Sequence, residues 1–231
     1  MPDTIKRGLF IVFEGIEKCG KKTQSELLQE ALTQITGKEA LLIHFPDKST
    51  PIGKLIADYS DGKLQLEPHA VHLLYIANRW ERQNEIVKAL KSGISVVVDR
   101  YSYSGIVNTA AKFHPLTETD WEWCRSMEYG LMQPDFIFCL APENFAEISV
   151  REAFNDEKKF ETMDFQKQTL IYYGRLSREM EAELNEENEN QNNTTTTKEC
   201  GEPRLWHWIP ATGQTVDEVH SCIMSIIDSK L

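Results

Sequence analysis

No apolar run in this chain approaches the roughly 20 residues that cross a bilayer, which argues against a helical membrane span. Positive charge is scarce: 25 Lys and Arg face 36 Asp and Glu, for a formal net charge of −11. Broad nucleic-acid or anionic-membrane binding needs a basic footprint, so this balance argues against both. An anionic small ligand stays open, because a few local cations and amide dipoles hold one. The five cysteines (Cys19, Cys124, Cys139, Cys200 and Cys222) are odd in number and lack a C-x-x-C spacing. Free thiols in a reducing compartment are the simple reading. The opening Met1-Pro2-Asp3-Thr4-Ile5-Lys6-Arg7 has neither a signal peptide's apolar segment nor a transit peptide's Arg-rich, acid-poor bias. The expectation is a soluble protein, cytoplasmic, with the nucleus as the alternative.

What is present suffices for one substantial core. Hydrophobic residues make up 41% of the 231, and a single α/β domain can run past about 200 residues without dividing. Gly8 to Glu14 is nearly continuously apolar, with β-branched and aromatic members, as in a strand buried on both faces of a parallel sheet. Glu39 to Phe45, Ser95 to Val98, Asp135 to Leu140 and Leu205 to Ile209 are further strand candidates. Between them, Thr23 to Ile35 carries an amphipathic stripe through Leu27, Leu28, Ala31, Leu32 and Ile35. His69 to Leu90, Phe160 to Leu184 and Val216 to Ile227 also read as helices. Strands alternating with helices predict a three-layer α/β sandwich: a five-stranded parallel sheet covered by helices on both faces. The whole of 1–231 reads as one domain. Residues 185–202, rich in Glu, Asn and Thr, read as an exposed mobile insertion, since such composition buries too little apolar area to offset ordering entropy.

Between the first strand and first helix lies Gly15-Ile16-Glu17-Lys18-Cys19-Gly20-Lys21-Lys22-Thr23. The spacing G-x-x-x-x-G-K in that context is a phosphate-binding loop. Glycines let the chain turn tightly round an anion, successive N–H groups and the helix N-terminus face it, and Lys21 reaches the outer phosphates. The next position is normally Ser or Thr, whose hydroxyl helps hold Mg²⁺. Here it is Lys22, and a cation there repels the metal. Thr23 points elsewhere round the helix. Asp99-Arg100-Tyr101 follows the clearest strand, so its side chains emerge at the carboxyl edge of the sheet, where open α/β folds bind ligands. Tyr75 and Arg79 stand four apart on one helix face, an arrangement suited to a flat base with a guanidinium at its polar edge.

Four segments appear in order: Phe13-Glu14-Gly15 through Thr23-Gln24, Phe45-Pro46-Asp47-Lys48-Ser49-Thr50, Leu73 through Glu81, and Asp99-Arg100-Tyr101-Ser102-Tyr103-Ser104-Gly105. Together they resemble thymidylate kinases of the eukaryotic and poxviral type, from about Arg7 to Tyr173. The resemblance implies ATP-dependent phosphorylation of dTMP to dTDP, with Mg²⁺ as the cofactor, and a homodimer with no nucleic-acid or membrane partner. It assigns Lys18, Lys21, Asp99 and Arg100 to catalysis, Asp99 through indirect organisation of Mg²⁺ and Arg100 through the acceptor phosphate. ATP and its phosphates fall to Gly15, Glu17, Lys18, Cys19, Gly20, Lys21, Lys22, Thr23 and Arg151. The dTMP side falls to Glu17, Phe45, Lys48, Tyr75, Arg79, Arg100, Gly105 and Phe160. A lid is implied over 150–161, closing to exclude water.

Five residues depart from the family pattern. Lys22 replaces the hydroxyl residue, and Glu17 an aspartate that contacts the sugar 3′-hydroxyl. Lys48 replaces an arginine on the acceptor phosphate, Tyr75 a phenylalanine on thymine, and Phe160 a tyrosine near the acceptor. Two alternatives follow from these departures: a catalytically weakened nucleotide-binding protein of the same fold, or a kinase for a related monophosphate such as dUMP. Cys19 reads as a small structural residue or a reactive thiol.

Overall fold

The structure, a computed structural model, describes residues 6–113, 115–147, 162–191 and 205–231. The lid expected over 150–161, with Arg151 and Phe160, lies outside them. Five parallel strands, β1 (Phe10–Gly15), β2 (Leu41–His44), β3 (Val96–Asp99), β4 (Phe136–Ala141) and β5 (Trp206–Pro210), form one sheet in the order β2-β3-β1-β4-β5. Phe10 sits opposite Val96, and Ile11 opposite Phe136. Strand alternation then divides the core in two. Phe10, Val12, Val96, Val98, Ile137 and Cys139 face one layer of helices, while Ile11, Phe13, Val97, Phe138 and Leu140 face the other.

The second layer is covered by α1 (Lys21–Thr36) through Leu28 and Leu32, and by α7 (Val216–Ile227) through Val219, Ile223 and Ile227. The first is covered by α3 (Pro68–Lys91), α4 (Ser102–Lys112), α5 (Glu118–Ser126) and α6 (Met163–Gln191). A further helix, α2 (Pro51–Ser60), leans on α3. Burying each large aliphatic or aromatic side chain in these layers contributes about 1.5–3 kcal/mol. No helix of the described residues is long and apolar enough to cross a membrane.

The sequence reading places all five strands and four of the helices, and α2, α4 and α5 are additions. Their signals are local. Thr50 caps α2 by accepting from the Gly53 N–H at 3.0 Å, with Pro51 in its first turn. Thr117 and Asp120 form a reciprocal capping box at α5. One boundary is corrected: α6 continues to Gln191, so 185–191, expected as part of a mobile insertion, is helical. Glutamate is a good helix former, and the propensity of this Glu-rich stretch carries the helix onward. Residues 192–204 lie outside the described set.

Candidate active site

The chain leaves β1 through a turn with three left-handed residues: Gly15 (φ 125°), Lys18 (φ 62°) and Gly20 (φ 84°). Gly15 is obligatory, because a Cβ there would stand 2.0 Å from the Leu140 carbonyl oxygen of β4. Gly20 is the residue before α1, so the helix N-terminus opens onto the turn. Lys18 holds the left-handed conformation without being glycine, a local strain on the order of 1–3 kcal/mol of the kind found where a loop serves a ligand. Lys21 is 6% exposed, and its Nζ donates to the Ile16 carbonyl at 2.5 Å, folding back across the turn. Burial, and then the Arg100 charge, lower the pKa of its ammonium.

A second turn follows β3. Arg100 is also left-handed (φ 66°), and Glu14 holds this turn in place. The Glu14 carboxylate, fully buried at the end of β1, accepts from Tyr101 N–H at 2.9 Å, Ser104 N–H at 3.1 Å and Tyr173 O–H at 2.8 Å, and from the Ser104 hydroxyl. Those donors make a buried carboxylate tolerable, and they tie β1, α4 and α6 to one point. From this anchor Arg100 reaches back to the phosphate turn. Its Nη2 donates to Glu17 Oε1 at 2.7 Å and its Nη1 to the Gly15 carbonyl at 3.5 Å. The Arg100 charge holds the Glu17 carboxyl below its usual value. Burial opposes the Arg100 charge, yet Glu17 and Asp99 raise its pKa above the ordinary.

Asp99 ends β3 beside them. Its Oδ2 lies 3.3 Å from His44 Nδ1, and its Oδ1 is buried without a partner. Burial alone would raise this carboxyl; the His44 hydrogen bond and the charges of Lys21 and Arg100 bring it below its ordinary value. The hydrogen bond to Asp99 raises the His44 imidazolium in turn.

Beside these groups lies a cavity of about 220 Å³. Gly15, Glu17 and Arg100 form one end. Phe45, Tyr75 and Arg79 come from the β2–α2 loop and α3, and Ser104, Gly105 and Asn108 from α4. Phe165 and Gln166 of α6 complete the wall. Phe45 serves twice: it is 5% exposed, packs on Tyr101 at 5.9 Å between ring centres, and still lines the cavity. Burial raises the Tyr75 phenol. Arg79, 1% exposed, is bound by Glu128 through Nε at 3.1 Å and also through Nη2. Burial pushes Glu128 up to about 7 against the pull of Arg79.

The structure thus gathers Gly15, Glu17, Gly20, Lys21, Asp99 and Arg100 at one rim, with Phe45, Tyr75, Arg79 and Gly105 beside them. Other expected residues stand apart from that rim. Lys48 is exposed, is not among the cavity's lining residues and neighbours Asp61. Lys22 and Thr23 are exposed, with Lys22 Nζ 3.8 Å from Glu26 one turn on; successive helix positions diverge by about 100° from the buried Lys21. Cys19 is 3% exposed and packs in the second core layer, which favours a structural role. Asn78 proves to be a clamp: it bonds Asp47 N–H at 2.8 Å and Thr50 Oγ1 at 2.7 Å, fixing the loop that carries Phe45.

Sequence reasoning missed the parts played by Glu14, Ser104, Tyr173, Gln166 and Glu128. Gln166 Oε1 accepts from the Glu17 N–H at 2.9 Å, joining α6 to the phosphate turn. Glu14 carried a signal, a lone charge closing an apolar strand. Glu128 carried none.

The comparisons with known proteins agree with this geometry. The family model for thymidylate kinase matches residues 13–221. Human thymidylate kinase is 40% identical over 174 residues, 75% of this chain and 79% of its own length. A putative thymidylate kinase of Invertebrate iridescent virus 6 is 46% identical over 134 residues, 58% and 60% of the two lengths. The solved structure of thymidylate kinase from Candida albicans superposes with a TM-score of 0.74 at 31% identity, covering 96% of this chain and 92% of that one. On the match to its family model and on these relatives, the chain belongs to the thymidylate kinase family.

Proposed function

We propose that the protein transfers the γ-phosphoryl group of ATP directly to a phosphate oxygen of dTMP, giving dTDP and ADP. The observation that carries this reading is the pair of adjoining anion sites: the turn from Gly15 to Lys21, and Arg100 at the head of a cavity. Phosphoryl transfer leaves little covalent chemistry to the protein, so positioning and charge do the work. Lys21 exchanges the Ile16 carbonyl for an outer phosphate oxygen of ATP. Arg100 grips the acceptor phosphate, with Glu17 setting its direction. Lys18, on the turn itself, offsets charge on the group in transit. Tyr75 and Phe45 hold the base between aromatic faces, and Arg79 meets its polar edge.

Mg²⁺ fits Asp99 as an indirect partner, since Asp99 Oδ1 is a buried acceptor lacking a donor. No cluster of three or more His, Cys, Asp or Glu suited to a metal exists among the described residues, so the ion is expected to arrive on the nucleotide. Bound there, it neutralises charge on the β- and γ-phosphate oxygens. Glu17, although a departure, pairs with Arg100 at the end of the cavity, which supports a working site over a dead one.

Leu73 and Trp80, seven apart on α3, are 46% and 45% exposed and share one face; they support assembly as a homodimer. The proposed location is cytoplasmic. A coupled assay with dTMP and ATP–Mg²⁺ tests the activity. Turnover of about 1–100 s⁻¹ is expected, and a rate below about 10⁻² s⁻¹ with both nucleotides bound contradicts it.

A further inference from the structure

Arg79 and Glu128 are side chains from distant parts of the chain that meet, almost wholly buried, at the wall of the acceptor cavity. The carboxylate takes the guanidinium side-on, through Nε and Nη2 together, the two-bond fork that fixes an arginine in plane as well as in place. Nη1 is left without a hydrogen-bond partner among the described residues. Gly105, which lines the cavity, lies directly over the pair: a Cβ there would stand 2.9 Å from Nη2, 3.0 Å from Glu128 Oε1 and 3.3 Å from Nη1. A side chain there would collide with the pair, so glycine lets α4 pack against it at the cavity wall.

A buried ion pair is a weak device for stability, because well-packed apolar residues of similar volume do as well or better. Its definite product is orientation. The neighbouring His72 competes for nothing: burial and then the Arg79 charge lower it to about 4, and its two nitrogens are occupied by Thr109 Oγ1 at 2.8 Å and the Cys124 carbonyl at 3.2 Å. Glu128 is the one anion bound to Arg79 among the described residues.

We propose that Glu128 is a positioning residue for the acceptor base: it locks Arg79 so that the free Nη1 edge donates to a ring carbonyl, selecting a 4-oxo pyrimidine over a 4-amino one. Arginine has donors only. A 4-amino base would set donor against donor and leave both unpaired, the kind of mismatch that discriminates strongly. This assignment rests on reading the cavity as the dTMP site.

The test is the kinetics of Glu128→Gln, alone and with Arg79→Met, using dTMP and dCMP as acceptors. Hydrogen bonds to charged groups are worth about ten- to a hundredfold in affinity, so Glu128→Gln is expected to raise the KM for dTMP by that factor. KM for ATP should stay within about twofold, and the preference for dTMP over dCMP should fall at least about tenfold. In the Arg79→Met background the same change should add nothing, since its effect runs through the arginine. An unchanged KM for dTMP, or an equal rise in both backgrounds, overturns the assignment. If Glu128→Gln does not fold, Glu128→Asp carries the test: a several-fold rise confined to dTMP supports it, and wild-type behaviour overturns it. Wild-type protein that fails to bind dTMP overturns the reading of the cavity and this inference with it; wild-type turnover alongside an unaltered variant overturns the inference alone.

Discussion

The turn after β1 and the cavity lie side by side, yet they are built in opposite ways. The turn is one continuous stretch, Gly15 to Lys21, shaped by backbone dihedrals and the start of α1. The cavity is assembled from the β2–α2 loop, α3, α4 and α6 against Gly15, Glu17 and Arg100, and its polar groups are positioned by other buried polar groups. A backbone nest depends on a few glycines and one lysine, whatever the other side chains. A side-chain cavity depends on partners that sequence proximity does not reveal.

Substitutions probe that contrast, beginning with the largest effect. Lys21→Ala removes the buried cation of the nest and should lower turnover by at least about 10²–10³ while the melting temperature holds, because the work of Lys21 is local and electrostatic. Near-wild-type kcat would mean that the backbone alone suffices. Glu14→Ala strips Tyr101 N–H, Ser104 N–H and Tyr173 O–H of their acceptor. It should destabilise by about 3 kcal/mol or more in urea unfolding and also slow turnover, since Arg100 loses its footing.

The buried His72 of α3 gives a pH test of comparable size. The folded pKa of His72, about 4, lies below the ordinary 6.5, so the unfolded chain binds the extra proton between those values. Its contribution is complete above pH 6.5 and lost as pH falls towards 4. Relative to His72→Gln, wild-type stability should therefore drop by about 3 kcal/mol across that window, as measured by urea titrations at stepped pH. Parallel curves would show that His72 is charged or solvated in the fold.

Smaller effects sharpen the two boundaries. Lys22→Thr, at the exposed start of α1, should raise activity a few-fold at limiting Mg²⁺; an identical Mg²⁺ dependence would show that the metal never relied on that position. Lys48→Ala and Tyr75→Phe should each leave the KM for dTMP within about twofold, because Lys48 stands outside the cavity and phenylalanine keeps the aromatic ring that lines it. A tenfold rise for Lys48→Ala would restore that lysine to the acceptor site.

The same contrast explains what the sequence could disclose. Apolar runs such as Phe10 to Phe13 and Val96 to Val98 announce buried parallel strands, and the glycine spacing announces the turn, because each signal lies within a few residues. The capping signals at Thr50-Pro51 and Thr117-x-x-Asp120 were equally local and went unread. Glu128 is different in kind. It lies 49 residues from Arg79, in a short turn with no periodicity, and only the packing of α3, α4 and α5 brings the two together. Lys48 errs the other way, for a correct motif position does not fix where a flexible side chain goes.

The most direct measurement is the affinity of a bisubstrate ligand that joins adenosine to thymidine through an oligophosphate chain, set against ATP and dTMP alone by calorimetry. Two sites facing each other across one rim predict a dissociation constant lower than either nucleotide's by about 10²–10⁴. Affinity no better than that of the stronger single nucleotide would contradict the pairing of the Lys21 nest with the Arg100 cavity.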